Sequence, residues 1–97
     1  MVQIQRNNLE PQDITVDVDP AIFEDLRIRY KQKGRVVVEK EQKDITINGR
    51  TLNYVLMPEE TARFNTRDPV WIQIKGLLGK DMPEYSNVIE ADVIDVL

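Results

Sequence analysis

The chain has 97 residues, 41% of them hydrophobic and 31% charged, with a net charge of −4; this is the balance of an ordinary globular chain, and a single domain over residues 1–97 is expected. It contains no cysteine and no histidine, which excludes a disulfide scaffold, thiolate metal sites, and the commonest general base and transition-metal ligand. No apolar run approaches the roughly 18–20 residues of a membrane span, the first ten residues lack the pattern of a secretory signal, and the acidic balance argues against a dedicated nucleic-acid binder.

Val2-Gln3-Ile4-Gln5 alternates as a first strand, and Asn7 to Pro11 reads as a loop. From Asp13 to Val18, Ile14, Val16 and Val18 fall on one face and Asp13, Thr15 and Asp17 on the other, the period of a half-buried strand. Asp19-Pro20 breaks the pattern, and Ala21 to Glu24 predicts one irregular helical turn. Leu26, Ile28 and Tyr30 mark a third strand, and Gly34 turns the chain into a fourth, Arg35 to Glu39. Lys40 to Lys43 is a charged connection.

The stretch from Asp44 to Leu78 is the best defined. Asn48-Gly49 has the chemistry of a type I′ two-residue loop. Ile47 is then expected opposite Arg50 and Ile45 opposite Leu52, with Ile45, Ile47, Leu52, Tyr54 and Leu56 sharing one face. Pro58 suits a first helical position, and Glu59 and Glu60 suit the positive end of the helix dipole. Asn65 to Pro69 stops that helix, and Phe64 is expected to plug one end of the core. Val70 to Ile74 resumes as a strand, with Val70, Ile72 and Ile74 inward and Trp71 on the opposite, half-exposed face. Gly79 to Pro83 predicts a turn before a long last strand, Tyr85 to Val96. The whole predicts an all-β domain: an immunoglobulin-like antiparallel β-sandwich of about seven to eight short strands, with one short helical turn near residues 58–64. A small β-barrel is the other architecture compatible with the pattern.

The most distinctive polar feature is a run of basic residues at every second position: Arg27, Arg29, Lys31, Lys33 and Arg35. Period two sets Arg27, Arg29 and Lys31 on one strand face, while Gly34 gives Lys33 and Arg35 a way off it. One reading is a stripe that binds a polyanion or an acidic partner. The other is a solvated or edge-protecting face paired with acids, for which Asp13, Asp17 and Asp19 are available if the second and third strands pair. Trp71, with Tyr30, Tyr54, Phe64 and Tyr85, is compatible with an interface or with a small core. Asp81, Glu84, Glu90, Asp92 and Asp95 make the end of the chain acidic, but neither Asp17/Asp19 nor Asp92/Asp95 follows a calcium-loop spacing. Gly76 to Lys80 lacks the full phosphate-loop pattern. Ser86 has no histidine to activate it. No catalytic residue, metal site or cofactor is expected.

The segment from Leu52 to Leu97 resembles small proteins encoded by phages and integrated elements of Gram-positive bacteria. The matching elements are the apolar strand Leu52 to Leu56, the turn Glu59-Glu60-Thr61 with Phe64, the strand Val70 to Lys75, and the serine-led strand from Ser86-Asn87-Val88 to Val96-Leu97. The chain departs from that pattern at the polar turn, where Gly79-Lys80-Asp81-Met82 replaces an Asp-Gly pair. The resemblance implies a non-enzymatic structural or assembly protein, such as a head–tail or tail accessory component. Its partners would be protein subunits, either copies of itself or other phage structural proteins, and its place the bacterial cytoplasm or the virion. No nucleic acid, membrane or small-molecule substrate is expected. The alternative is a monomeric module that engages a host protein or polyanion through Arg27, Arg29, Lys31, Lys33 and Arg35.

Overall fold

The computed structural model describes residues 2–77 and 84–94. Among these the strands are β1 (Val2–Gln5), β2 (Glu10–Thr15), β3 (Asp25–Gln32), β4 (Arg35–Glu41), β5 (Thr46–Asn48), β6 (Thr51–Leu56), β7 (Val70–Leu77) and β8 (Glu84–Ile94). The helix α1 (Pro58–Thr61) lies between β6 and β7, and single 3-10 turns occupy Pro20–Ile22 and Gln42–Asp44. The strands form two sheets, ordered β1-β8-β7-β3-β4 and β2-β6-β5. Their facing side chains make one core, in which Ile4, Leu26, Ile28, Tyr30, Leu52, Leu56, Val70 and Ile74 are fully buried. The predicted turn at Gly79 to Pro83 lies outside the described residues.

Four details differ from the sequence reading, each for a local reason. First, the sandwich is not wholly antiparallel: β1 runs parallel to β8, from Val2 opposite Ala91 to Gln5 opposite Ile94. Strand β2 begins beside Leu56, at the α1 end of the molecule, so β1 must finish at that end. Strand β8 ends there too, because Ala91 pairs with Val70. Two neighbours that finish at the same end are parallel. Second, Glu10 and Pro11 belong to β2 rather than to a loop. Proline is tolerated because β2 is an edge strand, where a missing N–H need not break a ladder.

Third, the hairpin closes one residue later than expected. Asn48 pairs with Thr51 and Ile47 with Leu52, so the loop is Gly49-Arg50, and Gly49 alone has positive φ, at 62°. That is the φ signature of a type II′ turn, which wants glycine first. The slip moves the partner of Ile47 from Arg50 to Leu52, two residues along, so every side chain keeps its face. The type I′ signature sits instead between β3 and β4, where Lys33 and Gly34 both have positive φ, at 52° and 73°. Fourth, β2 does not pair with β3; it pairs with β6 in the other sheet. The acids expected to face the basic stripe, Asp13, Asp17 and Asp19, are therefore not its cross-strand partners.

Three buried polar clusters tie the layers together. The Tyr30 and Tyr54 hydroxyls hydrogen-bond across the sheets, and Tyr30 donates to Gln12 Oε1 at 3.3 Å. Burial foremost raises both phenol pKa values, because an ionised phenolate has lost its water. Lys40 Nζ reaches Glu60 Oε1 at 2.7 Å, with side-chain exposures of only 11% and 16%. Thr61, fully buried, accepts from the Asn8 N–H at 3.0 Å and lies 2.8 Å from the Asn8 carbonyl, which pins the β1–β2 connection onto α1. Phe64 is 1% exposed and packs at a tilt on Tyr30, with ring centroids 5.8 Å apart. Glu60, Thr61 and Phe64 of the Glu59-Glu60-Thr61…Phe64 pattern thus help to hold the fold together.

Candidate interaction surface

The outward face of the five-stranded sheet gathers the exposed side chains of β3, β4, β7 and β8. Cross-strand pairing aligns them in rows. Lys31 stands between Val36 and Trp71, and Trp71 in turn faces Glu90. One row along, Arg29 stands between Glu39 and Gln73, with Val88 beyond. Next, Arg27 stands between Glu41 and Lys75. Leu77 faces Asp25 at the end of the sheet. Alternation explains the set: every inward residue of β7 is buried, while Trp71 is 43% and Leu77 45% exposed. Val36 at 44% and Val88 at 52% complete four exposed apolar side chains on one face.

The basic run does not form one stripe. Arg27 Nη1 and Arg29 Nε reach the two carboxylate oxygens of Glu39 at 3.0 and 3.1 Å, and Arg27 Nε also contacts Asp25 at 3.3 Å. Attraction to Asp25 leads the causes that raise the Arg27 pKa, with the hydrogen bond to Glu39 next. These two arginines are thus engaged by acids of β4 and of β3 itself. Lys31 remains on the same face beside Trp71. Lys33 and Arg35 leave it, because Lys33 is in the turn and Arg35 lies opposite the buried Gln32.

There they join a residue that the sequence reading did not single out. Lys33, Arg35 and Arg63 line a cleft of about 400 Å³ with Gln32, Val37 and Asp68. Its floor is stapled by Gln32, whose amide donates to the Asn65 and Asp68 carbonyls at 2.8 and 3.0 Å and accepts from the Asn65 N–H at 3.1 Å. No local pattern links Arg63 to Arg35, so only the tertiary fold could bring them together.

Of the other candidates, Tyr30, Tyr54 and Phe64 are core residues. Glu90 is exposed and Asp92 half-buried, while Asp81 and Asp95 lie outside the described residues and the Tyr85 and Glu84 side chains are not described. Among the described residues no group of three or more Asp and Glu side chains is arranged to hold a metal ion, and no helix is long and apolar enough to cross a membrane.

No protein-family model and no curated protein matches this chain. Among solved structures it is similar to the extracellular domain of mouse leukocyte-associated immunoglobulin-like receptor 1, described as a strand-swapped dimer. The TM-score is 0.51 at 11% identity, over 96% of this chain and 86% of that one. A second structure, of that receptor's immunoglobulin-like domain, gives the same TM-score and coverage at 12% identity. At such identity the likeness establishes the fold: this is an immunoglobulin-like β-sandwich. The order β8-β7-β3-β4 corresponds to strands G, F, C and C′ of the variable type, and β2-β6-β5 to B, E and D. Where antibody domains join strands B and F by a disulfide, this chain carries buried isoleucines, Ile14 on β2 and Ile72 and Ile74 on β7.

Proposed function

We propose that the protein is a non-enzymatic interaction module that serves in assembly, and that the outward face of the five-stranded sheet is its docking surface. One observation carries this reading: among the described residues, Val36, Trp71, Leu77 and Val88 are large apolar side chains left exposed on that face, interleaved with charges of which Arg27 and Arg29 are already paired with Asp25 and Glu39. A surface of apolar anchors in a polar frame is suited to protein partners, with tryptophan and arginine as the residues that most often dominate such contacts. The resemblance to small phage and prophage proteins supports placing the module among virion head–tail or tail accessory components, acting in the bacterial cytoplasm and then within the particle. The mouse receptor structures support association in a more general way, since both are described as strand-swapped dimers.

The polyanion reading is less well supported, because Arg27 and Arg29 share Glu39 and Arg27 also pairs with Asp25. A polyanion would have to displace those carboxylates. The test is capture of the neighbouring gene products by the immobilised protein, with Trp71→Arg as the control. Loss of capture in Trp71→Arg, with the fold intact by circular dichroism, is the expected result. Undiminished capture by that variant would remove the sheet face as the docking surface.

A further inference from the structure

The cleft at the β3–β4 turn has a counterpart at the other end of the same strand. Along β3 the chain runs from Asp25 to Gln32, seven residue steps or roughly 23 Å. At the far end, the β2–β3 connection carries Asp17, Asp19 and Glu24 and β3 opens on Asp25, with no basic residue between Asp17 and Leu26. Its tip is Ile22, 52% exposed, on the 3-10 turn Pro20–Ile22. Asp19 and Glu24 flank it, and both are exposed. The Asp19 carboxylate accepts from the Ala21 N–H at 3.0 Å, and the Glu24 N–H is tied to the Leu77 carbonyl at 2.8 Å, so the knob is held in shape. The cleft is its complement in both charge and polarity. Arg35 and Arg63 are exposed and make no ion pair with a described residue, although the Arg63 charge is felt by Glu60, and the half-buried Val37 also lines the cleft. Asp68, the acid of the cleft, is only 3.8 Å from the exposed Lys33 ammonium.

We propose that this cleft receives the β2–β3 connection of a second copy of the chain. Ile22 of that copy covers Val37, its Glu24 carboxylate meets the Arg35 guanidinium, and its Asp19 carboxylate meets that of Arg63. The two surfaces are different and sit at opposite ends of β3, so the contact is heterologous. Such contacts repeat from copy to copy, closing into a ring or continuing as a filament according to the rotation per step. This extends the assembly reading to a second surface that does not use Trp71.

Sedimentation equilibrium of the full chain, from micromolar to millimolar concentration and at low and physiological salt, tests the inference. The wild type should associate beyond a dimer, more weakly as salt screens the charge pairs. Arg35→Glu and Glu24→Arg, both at exposed positions, should each lower the association constant by roughly ten- to hundred-fold. The Arg35→Glu/Glu24→Arg double variant should recover it, because the reversed charges meet again between copies. Trp71→Arg should leave this association unchanged. A wild type that stays monomeric throughout would overturn the proposal, as would single variants that associate normally or a double variant no better than either single. Association lost in Trp71→Arg and retained in Arg35→Glu would assign self-contact to the sheet face instead.

Discussion

Replacing Tyr30 by phenylalanine should destabilise the protein more than the same change at Tyr54, although both remove one hydroxyl from the same buried pair. Tyr30 donates to Gln12 Oε1, so the hydrogen bond between the phenols must be donated by Tyr54. Tyr54→Phe therefore leaves the Tyr30 proton satisfied and removes one bond, a cost of about 1 kcal/mol. Tyr30→Phe strands two groups in the core, the Tyr54 O–H and Gln12 Oε1, and the penalty rises to roughly 2–3 kcal/mol. The double variant discards the stranded Tyr54 O–H as well, so it should cost no more than Tyr30→Phe alone. Urea unfolding of the three variants at constant m-value provides the comparison. A Tyr54→Phe cost at or above that of Tyr30→Phe, or additive costs in the double variant, would refute the assigned direction of donation. The same burial predicts an alkaline limb. Both phenol pKa values are raised in the folded state above the ordinary 10.0. Their contribution to stability is complete below pH 10 and is lost as pH rises beyond it. Absorbance at the phenolate band should therefore show Tyr30 and Tyr54 ionising only with unfolding.

Gly76→Ala should cost roughly 1–3 kcal/mol by overpacking, because an added Cβ would stand 2.7 to 2.9 Å from the Phe23 ring; the smaller Phe23→Leu in the same chain should relieve part of that cost in a double-mutant cycle. The Glu60 carboxyl is partly buried, which favours its neutral form, but the Lys40 and Met57 hydrogen bonds and the Lys40 and Arg63 charges outweigh this and lower its pKa from 4.5. The stability it contributes is present above about pH 4.5 and is lost as pH falls through the depressed value, so Glu60→Gln should flatten the acid limb of an unfolding-versus-pH curve. Thr61→Val should cost roughly 1–3 kcal/mol in thermal or urea unfolding, since it leaves the Asn8 N–H without its acceptor. Lys33→Asn should be neutral to slightly stabilising, by up to about 1 kcal/mol, because asparagine accepts the positive φ of the β3–β4 turn more readily than lysine; a clear loss of stability would mean the Lys33 side chain contributes more than its exposed position suggests.

Alternation made much of the sandwich legible. Trp71 among Val70, Ile72 and Ile74, and Arg27 and Arg29 among Leu26, Ile28 and Tyr30, declare their faces because a strand turns each successive side chain by half a revolution. Pro58, Glu59 and Glu60 likewise announce a helix start through local backbone chemistry. Pairing partners were a different matter. Nothing near Asp13 says that its neighbour across the ladder is Asn53 rather than a residue of the next strand. The direction of β1 depends on where β2 must begin, which is a property of the whole chain. Lys40 read as the start of a charged connection, yet it belongs to β4 and is 9% exposed, with Glu60, twenty positions on, as its counter-charge. The cationic cleft was half legible: Lys33 and Arg35 stood out by spacing, whereas Arg63 has no periodic or motif relation to them.

The parallel pairing of β1 with β8 also constrains the time course of folding. Residues 2–5 find their ladder partners in residues 91–94, so β1 leaves the ribosome well before the strand it pairs with. At roughly 5–20 residues per second, translation of the interval takes several seconds, long compared with local hairpin closure. The β3–β4 hairpin and the β5–β6 hairpin can form early, while Ile4, destined for full burial, remains without a place. A nascent chain halted before residue 84 would lack β8, leaving β1 detached and β7 as a raw sheet edge. Burial of Ile4 and closure of the five-stranded sheet therefore wait on the eleven residues of β8, and a chain terminated upstream of it should expose the β7 edge to pairing with other chains.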